Sequence, residues 1–192
     1  MPNALRAAIA RFRRDERGWM TAEAVIILPL LVWWYLGGLV FFDAYDARSV
    51  NLKASYTISD LFSRNLDGRI ETGEIEAMSD LFDYLTAGSG TDGAIRVSLV
   101  RCAEKCAEAG RKLALDWSYG SNARGALSAA DLPDYDAVIP IMAAGDRVFV
   151  VETFTSYHPP FNVGLTENSY SNVVVTRPRF VAAPCLVGAA CP

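Results

Sequence analysis

The chain has 192 residues, 52% of them hydrophobic, and a formal net charge of -4 at pH 7. That length supplies one domain able to bury its own core plus a separate segment. Nothing in this acidic balance suggests a nucleic-acid partner, which would call for a basic face.

The first segment is basic, with Arg6, Arg11, Arg13, Arg14 and Arg17, and it ends at Gly18. After Glu23 come 19 residues without a formal charge, Ala24 to Phe42. At ~1.5 Å per residue a helix of that length matches a hydrocarbon core of ~30 Å. Basic residues beside a spanning helix stay on the cytoplasmic side, so residues 44–192 are predicted to be exported. In a bacterium this makes the chain a single-pass inner-membrane protein with a periplasmic body. The apolar run exceeds the ~7 to 15 residues of an ordinary secretory signal core, and Asp43-Ala44-Tyr45-Asp46-Ala47-Arg48 offers no small-x-small cleavage site.

Beyond the span, Val50, Ala54, Thr57, Ile58, Leu61 and Phe62 recur at helical offsets, which predicts one helix from near Trp19 to about Arg64. Asp67-Gly68 ends it. A second helix is expected over Gly73 to Leu85, capped by Thr72, with Ile75, Met78, Leu81, Phe82 and Leu85 on its apolar face and Gly88-Ser89-Gly90 after it. The alternations Ile95/Val97/Leu99 and Leu113/Leu115/Trp117 read as two half-buried strands. Residues 121–145 read as irregular with at most a short turn of helix. Val148 to Tyr157 opens apolar on both faces and is expected in the centre of the sheet. Val173 to Val181, interrupted by Pro178, is expected as an edge strand, and Pro184 to Pro192 as a loop. The fold class is therefore α+β: a long N-terminal transmembrane helix, a small helix, and an antiparallel sheet of about four strands.

All four cysteines, Cys102, Cys106, Cys185 and Cys191, fall in the part expected in an oxidising compartment. Of three connectivities the local pairs Cys102 with Cys106 and Cys185 with Cys191 are preferred, since each is close in sequence and brackets a turn-like stretch. Their spacings are loose for zinc, and no metal is assigned. Residues 63–74 imitate a calcium-binding loop, but Ser63 stands at the first ligand position and Arg69 puts a positive charge inside, which favours a plain turn between helices. The single histidine, His158, precedes two prolines and has no partner identifiable from spacing. Phosphate-cradling loops and nucleophile elbows are absent from the sequence, so neither a catalytic residue nor a cofactor is assigned.

The stretch Arg13-Arg14-Asp15-Glu16-Arg17-Gly18-Trp19-Met20-Thr21-Ala22-Glu23 resembles a prepilin-type leader, a basic segment ending at glycine with a glutamate fifth after it. The run Glu23 to Leu31, with Pro29 six after the glutamate, resembles the N-terminal signature of TadE/TadF-like pseudopilins of the tight adherence (Flp pilus) system. Residues 58–64, and residues 139–159 with their Gly145-Asp146-Arg147-Val148 and Tyr157-His158-Pro159, are similar to TadE-like proteins. Alanine follows Glu23 where an aromatic is common in that family. The resemblance implies residues 1–18 as a leader cut by a prepilin peptidase between Gly18 and Trp19, residues 19–43 as the span, and residues 44–192 as the body. It further implies a minor, pilin-like protein that works with other pilin-like subunits and the pilus assembly machinery, with Glu23 able to pair with a neighbour's new amino terminus. The alternative is a single-pass envelope protein with an uncleaved anchor and a periplasmic binding or sensor domain.

Overall fold

A computed structural model describes residues 2–14, 19–86, 91–108 and 110–189. It divides into two units, residues 1–42 and 43–192, which are taken in turn.

The first unit holds helix α1, Pro2–Arg14, and the opening of helix α2, Trp19–Ser63. The proline at the head of α1 lacks an amide that would in any case be unpaired there, while Arg11, Arg13 and Arg14 in its last turn complement the helix dipole. From Trp19 to Phe42, α2 turns large apolar side chains outward: Val25, Leu28, Leu31, Trp33 and Trp34 are all exposed. It is long and apolar enough to cross a membrane. Pro29 sits inside it without ending it.

In the second unit, the remainder of α2 lies on a four-stranded antiparallel sheet of order β3-β2-β4-β5. The strands are β2 (Thr91–Glu104), β3 (Lys112–Gly120), β4 (Arg147–Tyr157) and β5 (Asn168–Thr176). A two-residue strand β1, Arg69–Ile70, precedes helix α3, Thr72–Thr86, and pairs in parallel with β6, Cys185–Leu186.

One face of the sheet is covered by α2 and α3. Ile58 and Phe62 of α2, Ile75 and Phe82 of α3, and Ile95, Leu99 and Phe149 of the sheet form its core. The opposite face is covered by residues 121–146, whose Leu127, Leu132, Ile139 and Met142 pack on Val100, Val148 and Val150. This cover is irregular apart from a short 3-10 turn, Leu132–Tyr135. Glycine is required at position 68. Its φ of 65° favours glycine, and a Cβ there would stand 2.8 Å from Val181.

Several expectations are corrected. The buried stripe of α2 is Ala47, Asn51, Ala54, Ser55, Ile58, Ser59 and Phe62, whereas Thr57 and Leu61 are exposed; small polar residues are on the inside because they let the helix approach the sheet. Thr72 does not cap α3. It lies within the helix, and the carbonyl of Glu71 accepts the first amides, from Glu74 and Ile75. Leu85 is exposed while Ser79 and Thr86 are buried. Strand β2 is buried on both faces rather than half-buried, since the 121–146 segment covers its second face. The last sheet strand runs Asn168–Thr176, not Val173 to Val181, so it ends before Pro178 could remove a ladder donor. The C-terminal stretch is more than a loop: Cys185 and Val187 donate their amides to the carbonyls of Gly68 and Ile70. The expected break at Gly88-Ser89-Gly90 lies outside the described residues.

Candidate functional site

The residues singled out for processing sit at the head of α2. Gly18 lies outside the described residues. Trp19 is the first residue of the helix and is 74% exposed, and Glu23 is exposed one turn later. Glu23 shares a shallow groove with Met20, Ala24, Ile27, Leu28 and Leu31, so its carboxylate stands at the end of an otherwise apolar stripe. A carboxylate in the first turns of a helix is favoured by the dipole, and at the end of a span its insertion cost is low.

Where the body begins, a second cluster fastens α2 to the sheet. The Tyr157 hydroxyl donates to Asp43 Oδ2 at 2.7 Å, and the Tyr170 hydroxyl donates to the Ala44 carbonyl at 3.4 Å. The two rings stack with centroids 5.8 Å apart. Burial, followed by the neighbouring Asp43 carboxylate, pushes the Tyr157 phenol up to about 12. Further along, Ser55 Oγ and Thr153 Oγ1 lie 2.6 Å apart, and the rings of Phe62 and Phe149 are 6.2 Å apart.

The buried charges of the body are engaged with one another. Glu152 takes Arg96 in a two-pronged pair, 2.5 Å from Nε and 2.8 Å from Nη2, and accepts the Tyr135 hydroxyl at 2.6 Å. Desolvation, then the Glu152 carboxylate, raises the Tyr135 phenol to about 12. The same carboxylate holds the Arg96 guanidinium above its ordinary value. Arg101 and Arg147 face each other across β2 and β4, a like-charge pair that would repel if left alone. A bulge between Trp117 and Leu115 places Asp116 between them, at 2.8 Å from Arg101 Nε and 2.7 Å from Arg147 Nε. These networks fasten loops and strands. None of them sets a nucleophile beside a base, and among the described residues no group of three or more metal-ligating side chains gathers.

Cys102 and Cys106 form a disulfide that packs in the second core. Cys185 is disulfide-bonded as well, while its expected partner Cys191 lies outside the described residues. In the loop that imitates a calcium site, the Asn65 side chain accepts the Gly68 amide at 2.9 Å and donates to the Arg69 carbonyl at 3.2 Å, so it closes a turn. His158 does have an acidic neighbour, Glu167, at 3.8 Å across an exposed hairpin base.

Compared with models of known families, with curated proteins and with solved structures, the chain has no match. Its functional reading therefore rests on its own residues.

Sequence reasoning did not find the Tyr157–Asp43 link or the Arg96–Glu152–Tyr135 network. The available signal was a charge at position 152 in the midst of an apolar central strand, which demands a buried counter-charge. Arg96 is directly opposite on β2, yet strand pairing had to be known before that partner could be named.

Proposed function

We propose that this chain is a minor pilin-like (pseudopilin) protein of the bacterial inner membrane, needed for assembly or secretion of Flp-type adhesion pili. The reading assigns residues 1–18 to a cytoplasmic leader, residues 19–43 to the span and the remainder to the periplasm. It assigns no catalytic step and no cofactor. Its partners are the membrane, a prepilin peptidase, and other pilin-like subunits with their assembly machinery.

The observation that carries it is the junction itself: an arginine-rich segment ending at Gly18, then Glu23 at the head of an uncharged helix that continues unbroken into the body. A protease that recognises such a junction needs an accessible backbone, which glycine provides, followed by a helix it can hold in lipid. The Cys102–Cys106 disulfide supports an exported body, because such bonds persist in oxidising compartments. The tally of arginines before the span supports the inside-to-outside orientation.

Intact-mass measurement of the chain extracted from membranes of cells with an active prepilin peptidase tests the proposal. The expected species begins at Trp19 and lacks the mass of residues 1–18. A full-length species that persists in such cells would instead indicate an uncleaved anchor carrying a periplasmic binding or sensor domain.

A further inference from the structure

The three contacts between α2 and β4 fix their relative direction within the body. Going up the helix from Asp43 to Ser55 to Phe62, the partners on the strand go down, from Tyr157 to Thr153 to Phe149. The strand therefore runs antiparallel to the helix, and its C-terminal end arrives beside Asp43. Strand β5 starts from the same end, since Tyr157 pairs with Asn168 and Tyr170 reaches Ala44. The connection between the two strands, residues 158–167, is thus held level with the first charged residue after the uncharged run.

The composition of that connection fits an unusual neighbour. Its only charged or titratable residues, His158 and Glu167, stand at its base 3.8 Å apart, and residues 159–166, Pro-Pro-Phe-Asn-Val-Gly-Leu-Thr, carry no charge. Phe161 is 57% exposed. On α2 at the same level Tyr45 is 74% exposed. Aromatic side chains gather where a membrane meets water, because their rings are apolar while the surroundings remain partly polar. An uncharged loop with an outward phenylalanine, tied to the mouth of a span, matches that environment.

We propose that the β4–β5 loop is a membrane-surface anchor: Phe161 enters the boundary between headgroups and acyl chains of the leaflet from which α2 emerges. The occupant of this surface is lipid. The tip supplies apolar area while the His158–Glu167 base stays among the headgroups. Together with Tyr45 it gives the body a second point of attachment, which fixes its tilt on the membrane instead of leaving it to swing on one helix. The inference rests on the reading that residues 24–42 span a bilayer, and its test separates the two.

The full chain, with its native disulfides intact, is given a single added cysteine for a nitroxide label and reconstituted in phosphatidylethanolamine–phosphatidylglycerol vesicles. The positions are Asn162→Cys in the loop, Val32→Cys within the span, and Leu66→Cys beyond the far end of α2, ~30 Å from Asp43 along the helix. Collision of the label with water-soluble nickel chelate and with lipid-soluble oxygen is read by electron paramagnetic resonance. The expected result is a several-fold lower nickel accessibility at 162 than at 66, with the oxygen accessibility raised, and loss of that shielding when Phe161→Ser is added. A label at 162 as open to nickel as the one at 66, with 32 still shielded, overturns the anchor and leaves the span. Shielding at 162 that survives Phe161→Ser overturns the assignment to that ring. A label at 32 open to nickel overturns the span and the anchor together.

Discussion

The two halves of α2 follow opposite rules although they belong to one unbroken helix. From Trp19 to Phe42 nearly every large apolar side chain is exposed, Val25 and Trp34 among the most; from Asp43 to Ser63 the fully buried positions include Asn51, Ser55 and Ser59. A helix in water hides its apolar stripe and shows its polar one. The inner half breaks that rule, and it is long and apolar enough to cross a membrane, where hydrocarbon would be its solvent. The outer half bends it for a different reason: small side chains bring its backbone close to a sheet whose apolar residues already fill the space, and Ser55 finds a hydroxyl partner in Thr153. Hydrophobicity thus marks the surface in one half and only part of the core in the other.

Phe62→Ala against Trp34→Ala puts the largest strain on this contrast. Phe62 is buried against Phe149, so its truncation is expected to lower the stability of the body by about 3–5 kcal/mol. Trp34→Ala removes a larger side chain and is expected to leave the urea midpoint of the detergent-solubilised chain in place. Equal losses at both positions would mean that the inner half packs on protein.

A charge gives the reverse ranking. Val32→Asp, near the middle of the uncharged run, is expected to cost about 3 kcal/mol in membrane insertion and to leave a fraction of the chain carbonate-extractable. Tyr56→Asp, at an exposed position of the outer half, should leave membrane integration within error. Extraction by alkaline carbonate measures both, and identical behaviour would erase the distinction between the halves.

The smallest effect concerns the start of the outer half, where Tyr157 holds Asp43. Tyr157→Phe is expected to cost about 1 kcal/mol at neutral pH, since one hydrogen bond is lost. Its phenol titrates near 12 in the folded chain against 10.0 when free, so ionisation favours unfolding. The stability it contributes is complete below pH 10 and disappears as the pH rises towards 12. Tyr135 is shifted in the same direction. The variant should therefore show a shallower loss of urea midpoint between about pH 10 and about pH 12 than the parent, with the Tyr135 share remaining. An unchanged alkaline slope would show that the Tyr157 contact does not couple to folding.

Much of this architecture could be read without coordinates wherever a local pattern carried the information. The uncharged run, the helix that continues past it, α3 and the central strand β4 were all legible, the helices from their periodicity, the run from its lack of charge and β4 from its apolar opening on both faces. The cover of residues 121–146 was recognised as irregular, yet its role was hidden, because covering the second face of a sheet leaves no period in the sequence. That hidden layer is why β2 looked half-buried. Strand β5 was displaced by five residues for a related reason: Asn168, Ser169 and Ser171 are poor strand formers, kept in register by pairing with β4. The string of residue types from Arg13 to Glu23 is a local pattern, whereas the link from Tyr157 to Asp43 joins residues 114 apart and had no local trace.

The sequence alone determined where charge is absent for 19 residues and where it returns, and with that a helix long and apolar enough to cross a membrane. It favoured the local disulfide between Cys102 and Cys106 among three connectivities, and the structure forms that bond. The tertiary structure alone decided which side of the outer helix faces inward, which arginine meets Glu152, and that the loop at 158–167 returns to the level of Asp43. Those outcomes depend on contacts between segments far apart in the chain, and only the packed arrangement sets their energies.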